Sequence, residues 1–510
     1  MNRYILCLFY FFPLLASGQN RPNVIIIYTD DIGYGDLSCY GASKVQTKNI
    51  DKLAAEGLRF TQAHCPAATC TPSRYALLTG EYSWRKPGTG VARGDAPMII
   101  TPERYTLADM FKSAGYTTAV TGKWHLGLGA KDRQDWNGLM TPGLRDIGFD
   151  YSYIMAATGD RVPCVFMEND KIRNLDPTDP IQVSYTTPFE GLPTGKNNPE
   201  LLKVHPSHGH DQALINGISR IGYMKGGNKA LWVDENIADS ITTKAVKFIE
   251  NNHNNPFFLY YATNDIHVPR VPHPRFVGTT DMGPRGDAIV QMDWCVGQIL
   301  STLDKFHLRD NTIIILTSDN GPVVDDGYKD DAVEKLGGHT PSGGLRGGKY
   351  SKFEAGTRVP FIIRYPGKVK KGVSHALVSQ IDMISSLASL LKISIPENSA
   401  PDSFDAWKTW SGKETKGRKY VIEATNSASL SIRTNQWKYI EPGSNAHKYD
   451  KYTNIELGND TIDQLYDLKS DPGETKNLAI HRTDILKEMK ALLKTIKESE
   501  ATRFKEKMRK

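Results

Sequence analysis

The chain has 510 residues, 39% of them hydrophobic, with 44 Gly and 28 Pro and no repeat or long low-complexity tract. This is the composition of a globular protein with room for a large core and two domains, not of a fibrous or disordered one. The formal net charge is +6, and nearly all of the excess lies in Lys487–Lys510, where nine Lys or Arg stand against four Glu. The remainder is close to neutral, so nothing marks nucleic acid as a partner. The basic end reads as a solvated helix face and a frayed terminus.

Residues Met1–Gly18 read as a secretory signal peptide. Arg3 supplies a positive start, Tyr4–Leu15 an apolar run too short for a membrane span, and Ala16-Ser17-Gly18 a small-residue cleavage site. No later apolar segment approaches that length without charges. The mature protein is therefore expected to be exported, periplasmic or secreted, without stable membrane insertion. Cys7 leaves with the signal. With Cys70 set aside, Cys39, Cys65, Cys164 and Cys295 permit two disulfides in an oxidising compartment, but their spacing demands none.

Asn23–Thr29 is a continuous apolar, β-branched run that predicts a buried parallel strand. The same reading extends to Thr117–Thr121, Pro256–Ala262, Thr312–Thr317 and Val359–Tyr365. Helical patterns occupy Ile50–Gly57, Tyr105–Ala114, Asp234–Asn251, Ala288–Phe306 and Ile381–Leu391. The alternation predicts an α/β fold with a large, mixed, mostly parallel sheet flanked by helices. Gly159–Gly227 is polar and rich in Pro and Gly, as loops over a site would be. Ile393–Ser403 reads as a linker. Beyond it, short strands at Lys419–Glu423, Ser429–Arg433, Trp437–Ile440 and Leu465–Leu468 precede a helix near Asp484–Glu498, giving a smaller C-terminal antiparallel sheet plus helix. The expected divisions are a signal peptide over 1–18, a catalytic domain over 19–395 and a C-terminal subdomain over 396–510.

Ligands of open α/β sheets gather at the carboxyl ends of strands. Asp30 and Asp31 follow the first strand, and Asp319 and Asn320 follow Thr312–Thr317. Their oxygens suit a hard divalent cation, Ca²⁺ or Mg²⁺, although either pair alone is also a common turn. Lys123 and His125 stand two apart beyond Thr117–Thr121 and share one face if the chain stays extended. An ammonium and an imidazole are what an anion in transfer and its nucleophile require. His267 lies beyond another apolar run and is placed to protonate a leaving alcohol. Lys349 follows a Gly pair that lets the backbone approach a ligand. Lys352 and Arg358 compete for the same anion, with Arg358 better placed to pair with Glu354. Cys70-Thr71-Pro72-Ser73-Arg74 opens a helical pattern. Alone, it reads equally as a buried Cys before a helix with Pro in its first turn.

Taken in order, these motifs resemble those of the type I, formylglycine-dependent sulfatase family of the alkaline-phosphatase-like superfamily. The matching stretches are Asp30-Asp31, Cys70-x-Pro-Ser-Arg74, Gly115-Tyr116 through Gly122-Lys123-x-His125, His267-x-Pro269, Asp319-Asn320-Gly321, and Gly348-Lys349 through Arg358-Val359-Pro360. The resemblance covers nearly the whole mature chain. It implies that a separate maturation enzyme oxidises Cys70 to formylglycine (3-oxoalanine). It also implies that Asp30, Asp31, Asp319 and Asn320, with modified Cys70, hold Ca²⁺, Mg²⁺ being an alternative. Arg74 and the metal would favour the alkoxide of the hydrated aldehyde. Lys123 and Lys349 would neutralise sulfate oxygens, His267 protonate the departing sugar oxygen, and His125 deprotonate the second hydroxyl. The implied substrate is a sulfated glycan, best matched to exo-acting removal of 6-O-sulfate from galactose or N-acetylgalactosamine. Asp160, Arg161, His205 and His210 are candidates for reading sugar hydroxyls. His205, His208 and His210 also have the spacing of a second metal site. The alternatives are a phosphomonoesterase or phosphonate hydrolase of the same superfamily, or a non-catalytic glycan-binding relative. Pro322 after Asp-Asn-Gly favours one metal over two, and no position of the constellation is missing.

Overall fold

A computed structural model describes residues 21–131, 134–443 and 447–503. The expected signal peptide, Cys7 and the last seven residues of the basic end lie outside the described residues. Asn23–Thr29 is buried along its whole length and forms the middle of a ten-stranded sheet. On one side it pairs in parallel with Phe257–Ala262, followed by Thr117–Lys123 and Tyr151–Met155, also parallel. On the other it pairs in parallel with Thr312–Ser318. Strands buried on both faces need helices on both. Lys48–Glu56, Ile237–Asn252 and Gly283–Lys305 contact one another as one group, and Cys70–Thr79, Leu107–Ser113 and Met383–Leu391 as a second.

Three of the longer strands of this sheet go beyond the sequence reading: Leu58–His64, Tyr151–Met155 and Gly372–Ser379. Leu58–His64 mixes buried with half-buried residues, so its apolar run is broken. Val359–Tyr365 reads in sequence as one more parallel strand. The strand found there, Phe361–Arg364, runs antiparallel to both Thr312–Ser318 and Leu58–His64. Local pattern carries no strand direction, so only the pairing decides it. Gly159–Gly227 is a layer of small ladders, including Gln182–Ser184 with Tyr223–Lys225 and Leu214–Ile215 with Ile218–Ser219. The five described cysteines are all free.

The C-terminal sheet is antiparallel in the order Val421–Glu423, Ser431–Arg433, Trp437–Ile440, Gln464–Asp467, with the helix Thr483–Lys497 beyond it. The stretch expected as a linker is packed instead: Ala400, Asp402 and Ser403 are buried, and Asp402 accepts from Arg85 Nε at 2.8 Å and from the Tyr82 backbone at 3.0 Å. The small sheet is joined to the large one by a buried charge network. Lys438 Nζ lies 2.8 Å from Glu423 and 3.3 Å from Glu354, Arg433 Nε lies 3.1 Å from Glu354, and His64 Nδ1 lies 2.9 Å from Glu423. Burial, with Glu354 nearby and against the pull of Lys438, pushes the third carboxyl of the network, Glu474, up to about 8. Lys438→Met should lower unfolding free energy by about 3–5 kcal/mol in denaturant titration, since it strands buried carboxylates. A loss below about 1 kcal/mol would mean that the network does not join the two sheets.

Candidate active site

Strand register explains why residues far apart in sequence converge. Thr29 stands opposite Ser318, Tyr28 opposite Ala262, and Ala262 opposite Gly122, all in parallel ladders. The segments leaving these strands therefore emerge at one edge of the sheet. Asp30, Asp31, Asp319 and Asn320 are fully buried there. Asp31 has φ of 56°, a left-handed conformation uncommon outside glycine. Its Oδ1 accepts from Asn320 Nδ2 at 2.7 Å, and its backbone N–H donates to Asp319 Oδ1 at 3.3 Å.

Three cations meet these carboxylates. Lys123 Nζ donates to both oxygens of Asp30 at 2.7 Å. Arg74 donates to Asp319 Oδ2 from Nε at 3.1 Å and Nη2 at 2.7 Å, and to the Lys123 carbonyl from Nη1 at 3.1 Å. Lys349 Nζ lies between Asp31 at 2.9 Å and Asp326 at 2.8 Å. The Tyr350 hydroxyl donates to Asp326 at 3.0 Å. Sequence reasoning misses Asp326 and Tyr350. Asp326 sits in a loop without periodicity, whereas Tyr350, next to Lys349, was within reach of the same motif.

The electrostatics is that of a site with more acceptors than its own cations satisfy. Burial and the neighbouring Asp319 push Asp30 up to about 8 despite Lys123. Burial also pushes Asp31 upward, but Lys349 and His267 outweigh it and hold the carboxyl below its usual range. Burial likewise opposes the charge on Asp319, and Arg74 and Lys123 hold it down. Asn320 Oδ1 is buried without a hydrogen-bond partner, and Asp30, Asp31 and His267 place ligand atoms within 4.8 Å of one another. Clustered carboxylates with an orphaned amide oxygen fit a hard divalent cation.

Cys70 is the first residue of the buried helix Cys70–Thr79, and Arg74, four residues on, shares its face. Burial raises the Cys70 thiol above its ordinary value against the pull of Lys123 and Lys349. As a thiol it is a poor nucleophile. The strand Thr117–Lys123 ends before His125, which has φ of 57°. His125 is therefore placed by a left-handed turn, not by the extended alternation expected from sequence. Its Nε2 donates to the Ala92 carbonyl at 2.9 Å, while Nδ1 is buried without a partner. Burial, Lys123 and Arg161 hold it well below the usual imidazole range. It is a neutral base with a free lone pair. His267 Nδ1 donates to the Val268 carbonyl at 2.8 Å, and burial with Lys123 and Lys349 pushes its pKa down to about 3.

Beside this centre Asp160 accepts from His210 Nε2 at 3.0 Å, from Arg161 Nη1 at 2.9 Å and from the Thr158 hydroxyl. Burial opposes the charge on Asp160, but Arg161 and His210 hold its carboxyl well down. His205 does not join them: it is exposed, in a two-residue ladder opposite Lys329. His208 stacks on Tyr452 at 4.7 Å. The three histidines thus point to different neighbours, and among the described residues they form no metal cluster.

A family profile described as Sulfatase matches residues 22–393, and one described as N-sulphoglucosamine sulphohydrolase, C-terminal, matches 348–500. A Bacteroides thetaiotaomicron protein named N-acetylgalactosamine-6-O-sulfatase is 54% identical over 483 residues, covering 94% of each chain. Human arylsulfatase A is 31% identical over 91% of this chain and 85% of its own. A solved structure from work on glycosaminoglycan metabolism in Bacteroides thetaiotaomicron superposes with a TM-score of 0.93 at 54% identity, covering 94% of this chain and 100% of that one. A sulfatase from Pseudoalteromonas sp., with TM-score 0.67 at 23% identity over 95% of this chain and 92% of that one, shares the fold.

Calcium added to chelator-treated protein should raise its melting temperature. Saturation at a hundredfold over the dissociation constant is worth about 2.7 kcal/mol. Asp31→Asn should lose most of this rise, and an undiminished rise in that variant would place the cation elsewhere.

Proposed function

We propose a substrate and a set of residue roles for this chain, which belongs to the sulfatase family and is a sulfuric ester hydrolase. The substrate is a sulfated glycan, and the bond cleaved is the 6-O-sulfate ester of N-acetylgalactosamine or galactose, removed in exo fashion. Support comes from the 54% identity to the relative named for that ester, and from Asp160, Arg161 and His210 gathered beside the centre to meet sugar hydroxyls. The observation that carries the reading is a buried Cys70 in the field of Lys123 and Lys349, with the hydroxyl of its neighbour Thr71 donating to the His125 carbonyl at 2.9 Å.

Oxidised to formylglycine by a separate maturation enzyme and hydrated, position 70 would supply two geminal hydroxyls, one as the nucleophile for sulfur and one whose deprotonation would release sulfate. Asp30, Asp31, Asp319 and Asn320 would hold Ca²⁺, or Mg²⁺, which would supply positive charge to the site. Lys123 and Lys349, whose ammonium groups lie on Asp30, Asp31 and Asp326, would give sulfate oxygens preorganised positive charge as the transition state forms. The amino end of the helix Cys70–Thr79 adds its dipole there. Arg74 commits its guanidinium to Asp319 and the Lys123 carbonyl, which makes it a positioning residue. His125 Nδ1 takes the proton of the second hydroxyl. His267 is neutral as it stands. A sulfate ester between Lys123 and Lys349 offsets the field that keeps it so, and lets it carry a proton to the leaving oxygen. Residues 1–18 direct export, and among the described residues no helix is long and apolar enough to cross a membrane.

Peptide mass spectrometry of active protein should find the Cys70 peptide as the aldehyde, and an unmodified thiol in active enzyme would overturn the mechanism. His267→Ala should lower kcat on a sugar 6-sulfate by about 10²–10⁴. The loss should be far smaller on an aryl sulfate, whose phenolate leaves without protonation, and equal losses on both would remove the acid role. Among monosaccharide sulfates, the 6-sulfates of N-acetylgalactosamine and galactose should be turned over. Failure of both beside turnover of another sugar would overturn the substrate assignment.

A further inference from the structure

The loop layer that carries His210 encloses a cavity of about 520 Å³ to which the chemistry above gives no role. That volume lies within the range of small-ligand sites. Its floor belongs to the core: Ile215 and Met224 are buried and Leu231 packs against them. Its walls do not. Phe189, Leu192 and Tyr223 line the cavity yet join none of the hydrophobic clusters, and Leu192 is 43% exposed. Lys225 lies on the same lining and is exposed. Among the described residues, no protein group bonds the Tyr223 hydroxyl or the Lys225 ammonium. The one carboxylate on the lining, Asp179, is turned to Asn228, accepting from its backbone at 2.8 Å and its side chain at 2.9 Å. The cavity thus offers aromatic and aliphatic walls, a free hydroxyl and an uncompensated cation.

Two chain segments link the cavity to the candidate active site. Ala213, on its lining, is three residues from His210, and three residues span at most ~11 Å. The Ala213 N–H donates to the Gly222 carbonyl at 3.1 Å, and the Ile221 N–H to the Asp160 carbonyl at 2.7 Å. The same two segments therefore frame both places.

We propose that this cavity is a distal subsite for the glycan. A sugar farther along the chain lays its apolar ring face against Phe189 and Tyr223 and presents an anionic group, carboxylate or sulfate, to Lys225. The inference rests on the sulfated-glycan reading and deepens it: the preferred substrate is an acidic oligosaccharide, of which the sulfated end sugar occupies only part of the binding surface.

The test compares KM for 6-sulfated N-acetylgalactosamine with KM for oligosaccharides ending in that sugar, one series carrying a uronic acid and another a second sulfate. Lys225→Gln and Tyr223→Ala should raise KM for an acidic oligosaccharide about tenfold, as expected for loss of a charge-assisted contact. Turnover of the monosaccharide should be unchanged, and the series that responds to Lys225→Gln identifies the anionic group. Equal KM values for monosaccharide and oligosaccharides in the wild type, or unaltered oligosaccharide KM in both variants, would overturn the subsite. Calorimetric titration with a desulfated acidic tetrasaccharide separates this outcome from a wrong choice of ester. Binding that is weakened by Lys225→Gln supports the subsite even if no 6-sulfate is hydrolysed, and absence of binding to the wild type overturns it.

Discussion

Three buried carboxylates crowded at one edge of the sheet are the constraint on which the rest of this structure depends. Asp30, Asp31 and Asp319 are brought together by parallel register, not by any attraction among themselves. Two like charges ~4 Å apart repel by ~4 kcal/mol at an effective dielectric constant of about 20. The fold answers with Arg74, Lys123 and Lys349, each from a different element and each in direct contact with one of the acids. Even so, Asp30 is driven up to about 8, with Asp319 adding to the effect of burial, and Asn320 keeps an unpartnered oxygen. What remains is a cluster of oxygens with an acceptor left over, and this is the physical basis for assigning a cation to the place.

The same arrangement explains why the amino end of the helix Cys70–Thr79 must be held so firmly. Its position is fixed by Arg74 below and by the small C-terminal sheet beside it. The Ala68 N–H donates to the Ala424 carbonyl at 2.8 Å, and the Ala424 N–H to the Pro66 carbonyl at 3.1 Å. Shortly after Lys349 and Tyr350 the chain reaches the short helix Glu354–Thr357, whose Glu354 is held by Arg433 and Lys438 of that sheet. The C-terminal sheet thus supports both the helix Cys70–Thr79 and the segment carrying Lys349.

Strand ends carry the buried acids and Lys123, while the ladders and loops between Gly159 and Gly227 lie beside them. This division is common where a scaffold must keep one chemistry and vary its substrate. Asp160 and His210 meet from separate segments of that layer, across a 3.0 Å hydrogen bond. Arg220 ties the layer down by donating to Asp234 at 2.7 Å and to the Gly159 carbonyl.

The core and the ordered motifs were legible in the sequence because both are local. Asn23–Thr29 and Thr312–Ser318 are unbroken β-branched runs, and the acids follow directly at their carboxyl ends. Asp30, Asp31, Cys70, Arg74, Lys123, His125, His267, Asp319, Asn320 and Lys349 could all be named from short stretches read in order. The reversed direction of Phe361–Arg364, the part of Asp326 in holding Lys349, the commitment of Arg74 to Asp319 and the departure of His205 could not. By itself, then, the sequence determined the order of the motifs, the candidate residues in them and the runs that form the core, since periodicity and motif spacing act over a few residues. Tertiary structure alone decided which of those residues face one another, which are consumed in holding their neighbours, and where the loop layer leaves a cavity, because each depends on contacts between segments far apart in the chain.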